Sequence, residues 1–588
     1  MPDRRTAHLT DQAGAAPVAD WVRRWCVPGY ALVLAVLITG PLLPPGYLLL
    51  RDAVSTPRSY LSDAALGLSE AAPRAVPQDV AIAWASHLID GGLVVKALLL
   101  AGLWLAGWGA ARLSATVLPN AGLAGQFVAA TVAVWNPYVA ERLLQGHWSL
   151  LVGYGCLPWA AGAMLRLRTD GTGWRALAFW LALAGLTPTG LLLAAVVALA
   201  SVAAPGPGRP RLACALVTVV LTVVAALPWL TASMIAGSLS SYQAAGAPGL
   251  QAFAARAEPG LGTLGSLAGL GGIWNAEAVP VSRTTAFAGL AVVATVVLLA
   301  VVILGLPVAG RRPGARPLLI LAAVAVIGPA LLATGPGLTV LRTVIDTAPG
   351  LGVLRDGQKW VAAAMPGYAL AAAGSVLAVR AVRPAVVGAV VCAAVLAVLP
   401  DLAWGVGGQV RAVHYPSAWA AVAAKINEDP RPVAVLPADT MRQFGWAGDA
   451  PVIDPVPRWV RADVLATGDL VISGRPVHGE GSHARSVQRL LLSGAPGAEL
   501  AAAGVGWVVV ERSPGEIGSA ARTLATLPVA FHNDELTLYR VGGDGAGATA
   551  GARRAMLIVH AVWLAMLIVG ATGLTTALDR GAGLRRHR

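Results

Sequence analysis

The sequence predicts a polytopic α-helical membrane protein that carries a small α/β domain before its last helix. Of the 588 residues, 56% are hydrophobic and only 12% are charged, whereas a soluble domain carries about 25% charged residues. The apolar residues fall in long runs, many of them long enough to cross a bilayer core of about 30 Å. A more polar stretch with its own pattern, near the end of the chain, indicates the α/β domain.

Twelve apolar segments are candidate transmembrane helices. Residues 1–26 are polar, and the run that follows is too long for the core of a signal peptide, so we expect an uncleaved first helix. The fifth and sixth segments are short and meet at TPTG, which also fits a re-entrant pair. The predicted spans are 27–50, 91–111, 118–135, 149–165, 176–188, 190–204, 212–235, 285–306, 317–334, 361–379, 384–402 and 554–577.

Arginine positions predict the orientation of these spans. The Arg-rich segments RRWC, RLRTDGTGWR, PGPGRPR, GRRPGARP and RGAGLRRHR all fall on one side of a twelve-span arrangement. Short loops rich in Lys and Arg stay in the cytoplasm. We therefore expect a plasma-membrane protein with both termini cytoplasmic, including a basic tail at 578–588. The net charge of +13 is interpreted as part of this orientation signal, so it does not indicate a nucleic-acid partner.

The opposite, extracytoplasmic face of the membrane domain (27–402) receives the long loops 51–90, 136–148, 236–284 and 335–360, and a functional site is expected there. Residues 403–553 form the predicted extracytoplasmic domain, since about 150 residues suffice for a small α/β fold. Within it, YPSAWAAVAAKINED predicts an amphipathic helix. PVAVLP, GVGWVVVERS and LTLYRV predict short buried strands.

The first cluster of candidate site residues follows the first span, in YLLLRDAVSTPRSYLSD. Asp52 comes directly after the apolar run, and Asp79 lies further along the same loop. A carboxylate just outside a membrane helix can act as a general base for a hydroxyl, or hold a divalent cation that binds phosphate. The alternative is that Arg51 and Asp52 only mark the membrane interface.

The second cluster is WNPYVAERLLQGHW, residues 135–148, where Asn-Pro favours the start of a helix. Glu141, Arg142 and His147 are expected to bind substrate, because several polar groups beside hydrocarbon are costly unless they are paired or used. Arg142 can bind a phosphate or pair with an acid, and His147 can move a proton or bind a sugar hydroxyl. Four aromatic residues are interpreted as anchors at the water–lipid interface: Trp135, Tyr138, Trp148 and Tyr154.

The third cluster is LGVLRDGQKW, residues 351–360, which contains Arg355, Asp356 and Lys359. Two cations on the extracytoplasmic side depart from the usual placement of positive charge. They can bind an anionic head group such as a lipid phosphate. An ordinary salt-bridged loop is the alternative.

Several common motifs are absent from the sequence. There is no P-loop, no dinucleotide-binding fingerprint and no HExxH. The four cysteines have no metal-ligand spacing, so neither a zinc site nor a disulfide framework is expected. No span carries the buried charges of a proton-coupled pump.

The segment NPYVAERLLQGHWSLLVGYGCLPW, together with YPSAWAAVAAKI and PVAVLP at the start of the late domain, resembles the GT-C class of membrane glycosyltransferases. The similarity is to actinobacterial arabinofuranosyltransferase-like integral membrane proteins, and it extends over most of the chain. It implies a polyprenyl-phosphate sugar donor, with arabinose or mannose as the sugar. It also implies a cell-envelope glycan or glycolipid acceptor, used among membrane lipids.

In that class an acid in the first extracytoplasmic loop acts as the base, and the matching position here is Asp52, with Asp79 as second choice. Our hypothesis for the rest of the site is that Arg355, Lys359 and Arg142 hold the donor phosphate. Glu141 and His147 would orient donor or acceptor, and Asp356 is a further candidate substrate-binding residue. Some members also use a divalent cation, Mg²⁺ or Mn²⁺, but the chain lacks their Asp-x-Asp or Asp-Glu pair, so the metal stays open. A transporter or flippase for lipid-linked precursors and a non-catalytic scaffold are the alternatives.

Overall fold

The computed structural model describes residues 24–70, 73–235, 247–347, 351–472 and 474–583. Each apolar segment predicted as a span contains a helix, because a chain in hydrocarbon must satisfy its backbone hydrogen bonds internally. The helices of the membrane part are α1 (Arg24–Leu42), α2 (Gln78–Ala85), α3 (Gly91–Val117), α4 (Gly122–Val134), α5 (Pro137–Leu144), α6 (Trp148–Thr169), α7 (Trp174–Ala184), α8 (Pro188–Ser201), α9 (Arg211–Ile235), α10 (Ala247–Ala252), α11 (Gly262–Ala268), α12 (Ala288–Gly310), α13 (Arg316–Leu332), α14 (Gly335–Thr347), α15 (Met365–Ala378) and α16 (Pro384–Ala397).

By length and composition, seven helices in the described part of the chain can cross a membrane, or nine if two bent pairs each form one span. One bent pair is α13 with α14, whose axes meet at 97°. The predicted spans 176–188 and 190–204 correspond to the shorter helices α7 and α8. The predicted span 118–135 corresponds to α4, which has 13 residues. The predicted count of twelve spans is therefore not confirmed.

The first predicted span, 27–50, is too long at its end, because α1 stops at Leu42. Pro44 and Pro45 follow, and proline lacks the backbone N–H that a continuing helix needs. The apolar residues after them are extended and pair antiparallel with strands on both sides. These three strands are β1 (Tyr47–Leu50), β2 (Ala53–Val54) and β3 (Ala412–Val413).

The late polar region contains a four-stranded sheet with strand order β10-β11-β9-β4, in which β4 runs parallel to β9 and the other pairs are antiparallel. The three predicted strands form β4, β9 and β11, and the predicted amphipathic helix forms α17. The elements are α17 (Ser417–Glu428), β4 (Val433–Leu436), β5 (Met441–Arg442), β6 (Val452–Ile453), α18 (Val456–Trp459), β7 (Leu470–Ile472), β8 (Arg475–Val477), α19 (Ser482–Ser493), α20 (Gly497–Ala502), β9 (Trp507–Glu511), α21 (Ala520–Leu524), β10 (Val529–His532) and β11 (Leu536–Arg540), followed by the last helix, α22 (Ala550–Gly583).

The α/β region holds the turn that follows β1. The Arg51 backbone N–H donates to the Pro451 carbonyl at 3.0 Å, and the Ile453 N–H donates to the Arg51 carbonyl at 2.9 Å. Tyr415 donates from its hydroxyl to the Ser55 carbonyl at 2.9 Å. These contacts place the candidate base, one residue after Arg51, at the junction of the helices and the α/β region.

Candidate functional site

The turn that carries Asp52 is fixed by a buried arginine. Arg51 has φ +47°, a left-handed conformation that is uncommon for a residue other than glycine. Its guanidinium donates to the Leu144 carbonyl and to the Glu277 carbonyl, at 2.7 Å each. Such a conformation persists only where the surrounding structure over-determines it. The direction of the Asp52 side chain is therefore set by contacts of Arg51 with three separate parts of the chain, at Leu144, at Glu277 and at residues 451–453.

The turn between α5 and α6 lies directly against this segment. The Asp52 backbone N–H donates to the Gln145 carbonyl at 3.1 Å. Gly146 has φ +83°, and a Cβ there would lie within 3.0 Å of the Ala53 nitrogen and the Leu50 oxygen. Because both neighbours are backbone atoms, the close approach of the two turns requires glycine.

The Asp52 carboxylate accepts two hydrogen bonds on one oxygen. His147 Nε2 lies 2.9 Å from Oδ2, and the Gln145 amide donates to Oδ2 at 3.2 Å. Within the described ranges no hydrogen bond reaches Oδ1, and the side chain is 36% exposed. Burial raises the pKa of Asp52, but the bonds from His147 and Gln145 outweigh it, so the pKa lies below its ordinary value. The carboxylate is ionised at neutral pH and has one oxygen available to accept a proton.

Arg142 connects His147 to the third predicted cluster. Its guanidinium donates to both oxygens of Asp356, at 2.9 and 3.0 Å, and lies 3.1 Å from His147 Nδ1. The pair is buried, with exposed side-chain fractions of 0% for Arg142 and 6% for Asp356. Lys359 Nζ lies 3.6 Å from Asp356 Oδ2 and is 25% exposed. Burial opposes ionisation of Asp356, but the Arg142 and Lys359 charges hold its pKa well below the usual range.

Glu141 is buried and fully occupied by protein donors. Its carboxylate accepts from the backbone N–H groups of Gly272 and Ile273 at 3.1 Å each, and from the Gln358 amide at 3.0 Å. Gln358 also accepts a hydrogen bond from Arg142. It therefore connects Glu141 to the group of side chains bonded around Asp52, called here the Asp52 cluster: Asp52, His147, Arg142 and Asp356. These contacts of Glu141 join α5 to the end of a Gly-rich segment, residues 260–272.

A second buried ion pair lies next to Glu141. Arg283 donates to both carboxylate oxygens of Glu258, with Nε at 2.9 Å from Oε1. Burial raises the pKa of Glu141 well above its ordinary value, and the neighbouring Glu258 charge raises it further. The Arg283 guanidinium thus compensates one of two adjacent buried acids, Glu258, while the other, Glu141, is held by its hydrogen bonds to Gly272, Ile273 and Gln358.

Four aromatic side chains between positions 135 and 154 were expected at the membrane surface, and this expectation is wrong. Tyr138 and Tyr154 stack with ring centroids 5.2 Å apart, and the Trp135 indole donates to the Leu399 carbonyl at 3.0 Å. They lie inside the protein because segments distant in sequence cover α5. The four residues concerned are all buried: Trp135, Tyr138, Trp148 and Tyr154.

Two predicted site residues contact other segments of the chain. Asp79 opens α2 and forms an ion pair with Arg458 of the α/β region at 3.4 Å. The Arg355 guanidinium lies 4.0 Å from the centroid of the Phe253 ring, which packs edge-on against Trp274. The structure connects the other predicted residues through hydrogen bonds and ion pairs: Asp52, Glu141, Arg142, His147, Asp356 and Lys359.

Sequence reasoning missed Gln145, Gln358, Glu258 and Arg283. The two glutamines stand inside the quoted segments, where amides between charged residues were a usable signal. Glu258 and Arg283 flank the Gly-rich stretch GLGTLGSLAGLGG, residues 260–272, which carries no charged residue of its own. Their pairing depends on contacts that sequence spacing does not reveal.

The residues present do not fit a divalent cation. The described parts of the chain hold no group of three His, Cys, Asp or Glu side chains in ligating positions. Both oxygens of Asp356 are bonded to Arg142, and Oδ2 of Asp52 is bonded to His147 and Gln145.

The long apolar helices are those of a multi-pass membrane protein, and the fold is similar to that of a solved glycosyltransferase. A structure of the arabinofuranosyltransferase AftD from mycobacteria matches with a TM-score of 0.54 and 16% sequence identity, over 89% of this chain and 40% of that chain. A mutant of AftD matches with a TM-score of 0.52 and 18% identity, over 89% of this chain and 42% of that chain. The chain thus spans about two fifths of the length of the structures it matches. No protein-family model and no curated protein matches the sequence.

Proposed function

We propose that the protein transfers a sugar, arabinose or mannose, from a polyprenyl-phosphate donor to a cell-envelope glycan or glycolipid. The observation that carries the proposal is the state of Asp52, an ionised and partly exposed carboxylate whose Oδ1 accepts no hydrogen bond within the described residues, at the junction of the helices and the α/β region. The fold shared with an arabinofuranosyltransferase supports the same reaction class. A lipid donor also agrees with the absence of nucleotide-binding motifs.

In the proposed reaction, the acceptor hydroxyl attacks the anomeric carbon of the donor sugar. The bond between that carbon and the phosphate oxygen breaks, and its electrons leave with the polyprenyl phosphate. The hydroxyl proton passes to Asp52 Oδ1. General base catalysis of this kind requires a carboxylate within hydrogen-bond reach of the hydroxyl.

Lys359 and Arg355 are the proposed cations for the donor phosphate. The Lys359 ammonium is 25% exposed, and Asp356 holds it at 3.6 Å without enclosing it. Arg355 is held on the Phe253 ring at 4.0 Å from its centroid. Positive groups placed where charge develops on the leaving phosphate stabilise the transition state.

The proposed orientation follows the distribution of arginine. Short Arg-rich segments between helices are placed in the cytoplasm together with both termini. Residues 403–553 and the Asp52 cluster then lie outside the plasma membrane. A donor in the outer leaflet would reach Asp52 from the membrane side.

The test compares Asp52→Asn with Asp79→Asn, two acids of the same predicted loop. In purified full-length protein, Asp52→Asn is expected to lower transfer from a labelled polyprenyl-phosphate arabinose by about 10²–10⁴-fold, the usual contribution of a general base. Asp79→Asn removes only a partly exposed ion pair and is expected to change the rate little.

Equal rates for wild type and Asp52→Asn, with equal melting temperatures, would remove Asp52 from the reaction. If wild-type protein moves the lipid-linked sugar across the vesicle membrane without transferring the sugar to an acceptor, a flippase is favoured over an enzyme.

A further inference from the structure

We infer that His147 is a positioning residue for Asp52, and that Arg142 fixes the tautomer of His147 with Nδ1 bare and Nε2 protonated. The catalytic consequence rests on the proposed function, whereas the tautomer itself does not. The arrangement makes Asp52 Oδ1, and not the imidazole, the atom that accepts the acceptor's proton.

The tautomer follows from the chemistry of the two partners. A guanidinium has N–H donors and no acceptor, so the 3.1 Å contact between Arg142 Nη1 and His147 Nδ1 requires Nδ1 to accept. In a neutral imidazole the proton then resides on Nε2. Nε2 lies 2.9 Å from Asp52 Oδ2, a carboxylate oxygen that can only accept. Both contacts are satisfied by one tautomer.

The imidazolium form is disfavoured by the same contacts. A proton on Nδ1 would face the Arg142 N–H, which removes a hydrogen bond and places two cations in contact. The charged groups that face the ring are two carboxylates and two cations: Asp52, Asp356, Arg142 and Lys359. Burial lowers the pKa of His147, and the bond to Asp52 offsets this only in part. A ring with both nitrogens engaged has no free position from which to take a substrate proton.

Asp356 stabilises this arrangement indirectly, through its contact with Arg142. Its two bonds to Arg142 hold the guanidinium plane, and both side chains are buried. A bidentate pair fixes direction as well as distance. Asp356 therefore acts on Asp52 through Arg142 and His147, while its contact with Lys359 connects the same chain of groups to the proposed phosphate site.

The direct test is ¹⁵N solid-state NMR of histidine-labelled full-length protein in lipid nanodiscs, with the His147 signals assigned by their loss in His147→Gln. The expected spectrum at neutral pH shows an unprotonated Nδ1 and a protonated Nε2. Arg142→Gln, which introduces a carbonyl acceptor, is expected to reduce this tautomer. A protonated Nδ1 in wild type, or an unchanged spectrum in folded Arg142→Gln, would overturn the inference.

The second test is the pH dependence of transfer for His147→Gln and His147→Leu, measured beside Asp52→Asn. Glutamine carries an amide N–H that can replace Nε2, so His147→Gln is expected to retain activity within about tenfold and keep the wild-type pH profile. His147→Leu removes the donor, so the acid limb of its profile is expected to move to higher pH.

If His147→Gln is as inactive as Asp52→Asn, the imidazole itself moves the proton and the inference fails. If Asp52→Asn keeps full activity, the proposed function of Asp52 fails, and the NMR result still decides the tautomer independently.

Discussion

Replacing Gly146 by alanine tests whether the turn between α5 and α6 sets the position of Asp52. Gly146 has φ +83°, and an added Cβ would collide with the backbone of Ala53 and Leu50. Gly122 supplies a matched control at the start of α4. It also has a positive φ, +58°, but a Cβ there meets nothing within 4 Å.

The expected magnitudes separate two effects. A backbone conformation with positive φ costs an L-residue about 1–3 kcal/mol, and this cost applies to both variants. Forcing extra volume into a packed site costs a further ~1–3 kcal/mol, which applies to Gly146→Ala alone. Gly146→Ala should therefore lose about 2–6 kcal/mol of unfolding free energy, against about 1–3 kcal/mol for Gly122→Ala.

The assay combines thermal unfolding in detergent, followed by tryptophan fluorescence, with transfer rates measured where both variants are folded. A displacement of the base by about 1 Å is expected to slow transfer about 10²-fold in Gly146→Ala. Gly122→Ala should keep the wild-type rate, because Gly122 makes no contact with the Asp52 turn. Indistinguishable melting temperatures and rates for the two variants would refute the reasoning.

Two further predictions concern buried charge. Arg283→Met leaves Glu258 buried without its partner and should cost about 3–5 kcal/mol, whereas Arg431→Met breaks the partly exposed pair with Asp429 and should lower stability far less in the same unfolding assay. Burial and two neighbouring carboxylates raise the pKa of Asp463 to about 6, so its contribution to stability is greatest below the unfolded pKa and falls as pH rises through about 6. Asp463→Asn should therefore raise the melting temperature more at about pH 8 than at about pH 4, and an equal shift at both would contradict this sign.

Much of the fold could be predicted because it depends on local sequence. Long apolar runs specify helices in a membrane, where no other spanning structure satisfies the backbone of a single segment. The strands β4, β9 and β11 are short apolar runs bounded by Pro, Gly and charged residues, which is a local signal as well. The end of α1 was also encoded locally, in Pro44 and Pro45, but the apolar residues after them extended the predicted span.

The burial of α5 could not be predicted, because its cover comes from distant segments. Glu141 is bonded to Gly272, Ile273 and Gln358, which lie more than a hundred residues away in the chain. An isolated segment with polar and aromatic residues looks like a surface helix, since hydrophobic periodicity reports amphipathicity and not what covers the polar face. The sequence assigned Asp52, His147 and Lys359 to one proposed site on one side of the membrane, but it could not show which of these side chains bond to one another.

The candidate site illustrates the same limit for charged residues. Asp52 and Asp79 belong to one predicted loop, and sequence alone ranked them by proximity to the first helix. The structure separates them, with Asp52 bonded to His147 and Asp79 paired with Arg458. That distinction depends on how the α/β region meets the loop, which is a property of tertiary packing.

The most direct test of the proposed reaction is a cryo-EM structure of the full-length protein with a non-transferable polyprenyl-phosphate sugar analogue. The account predicts the analogue's phosphate within hydrogen-bond distance of Lys359 and its anomeric carbon facing Asp52 Oδ1. A phosphate bound elsewhere, for example beside Arg458 and Asp79, with Asp52 facing no sugar, would contradict it.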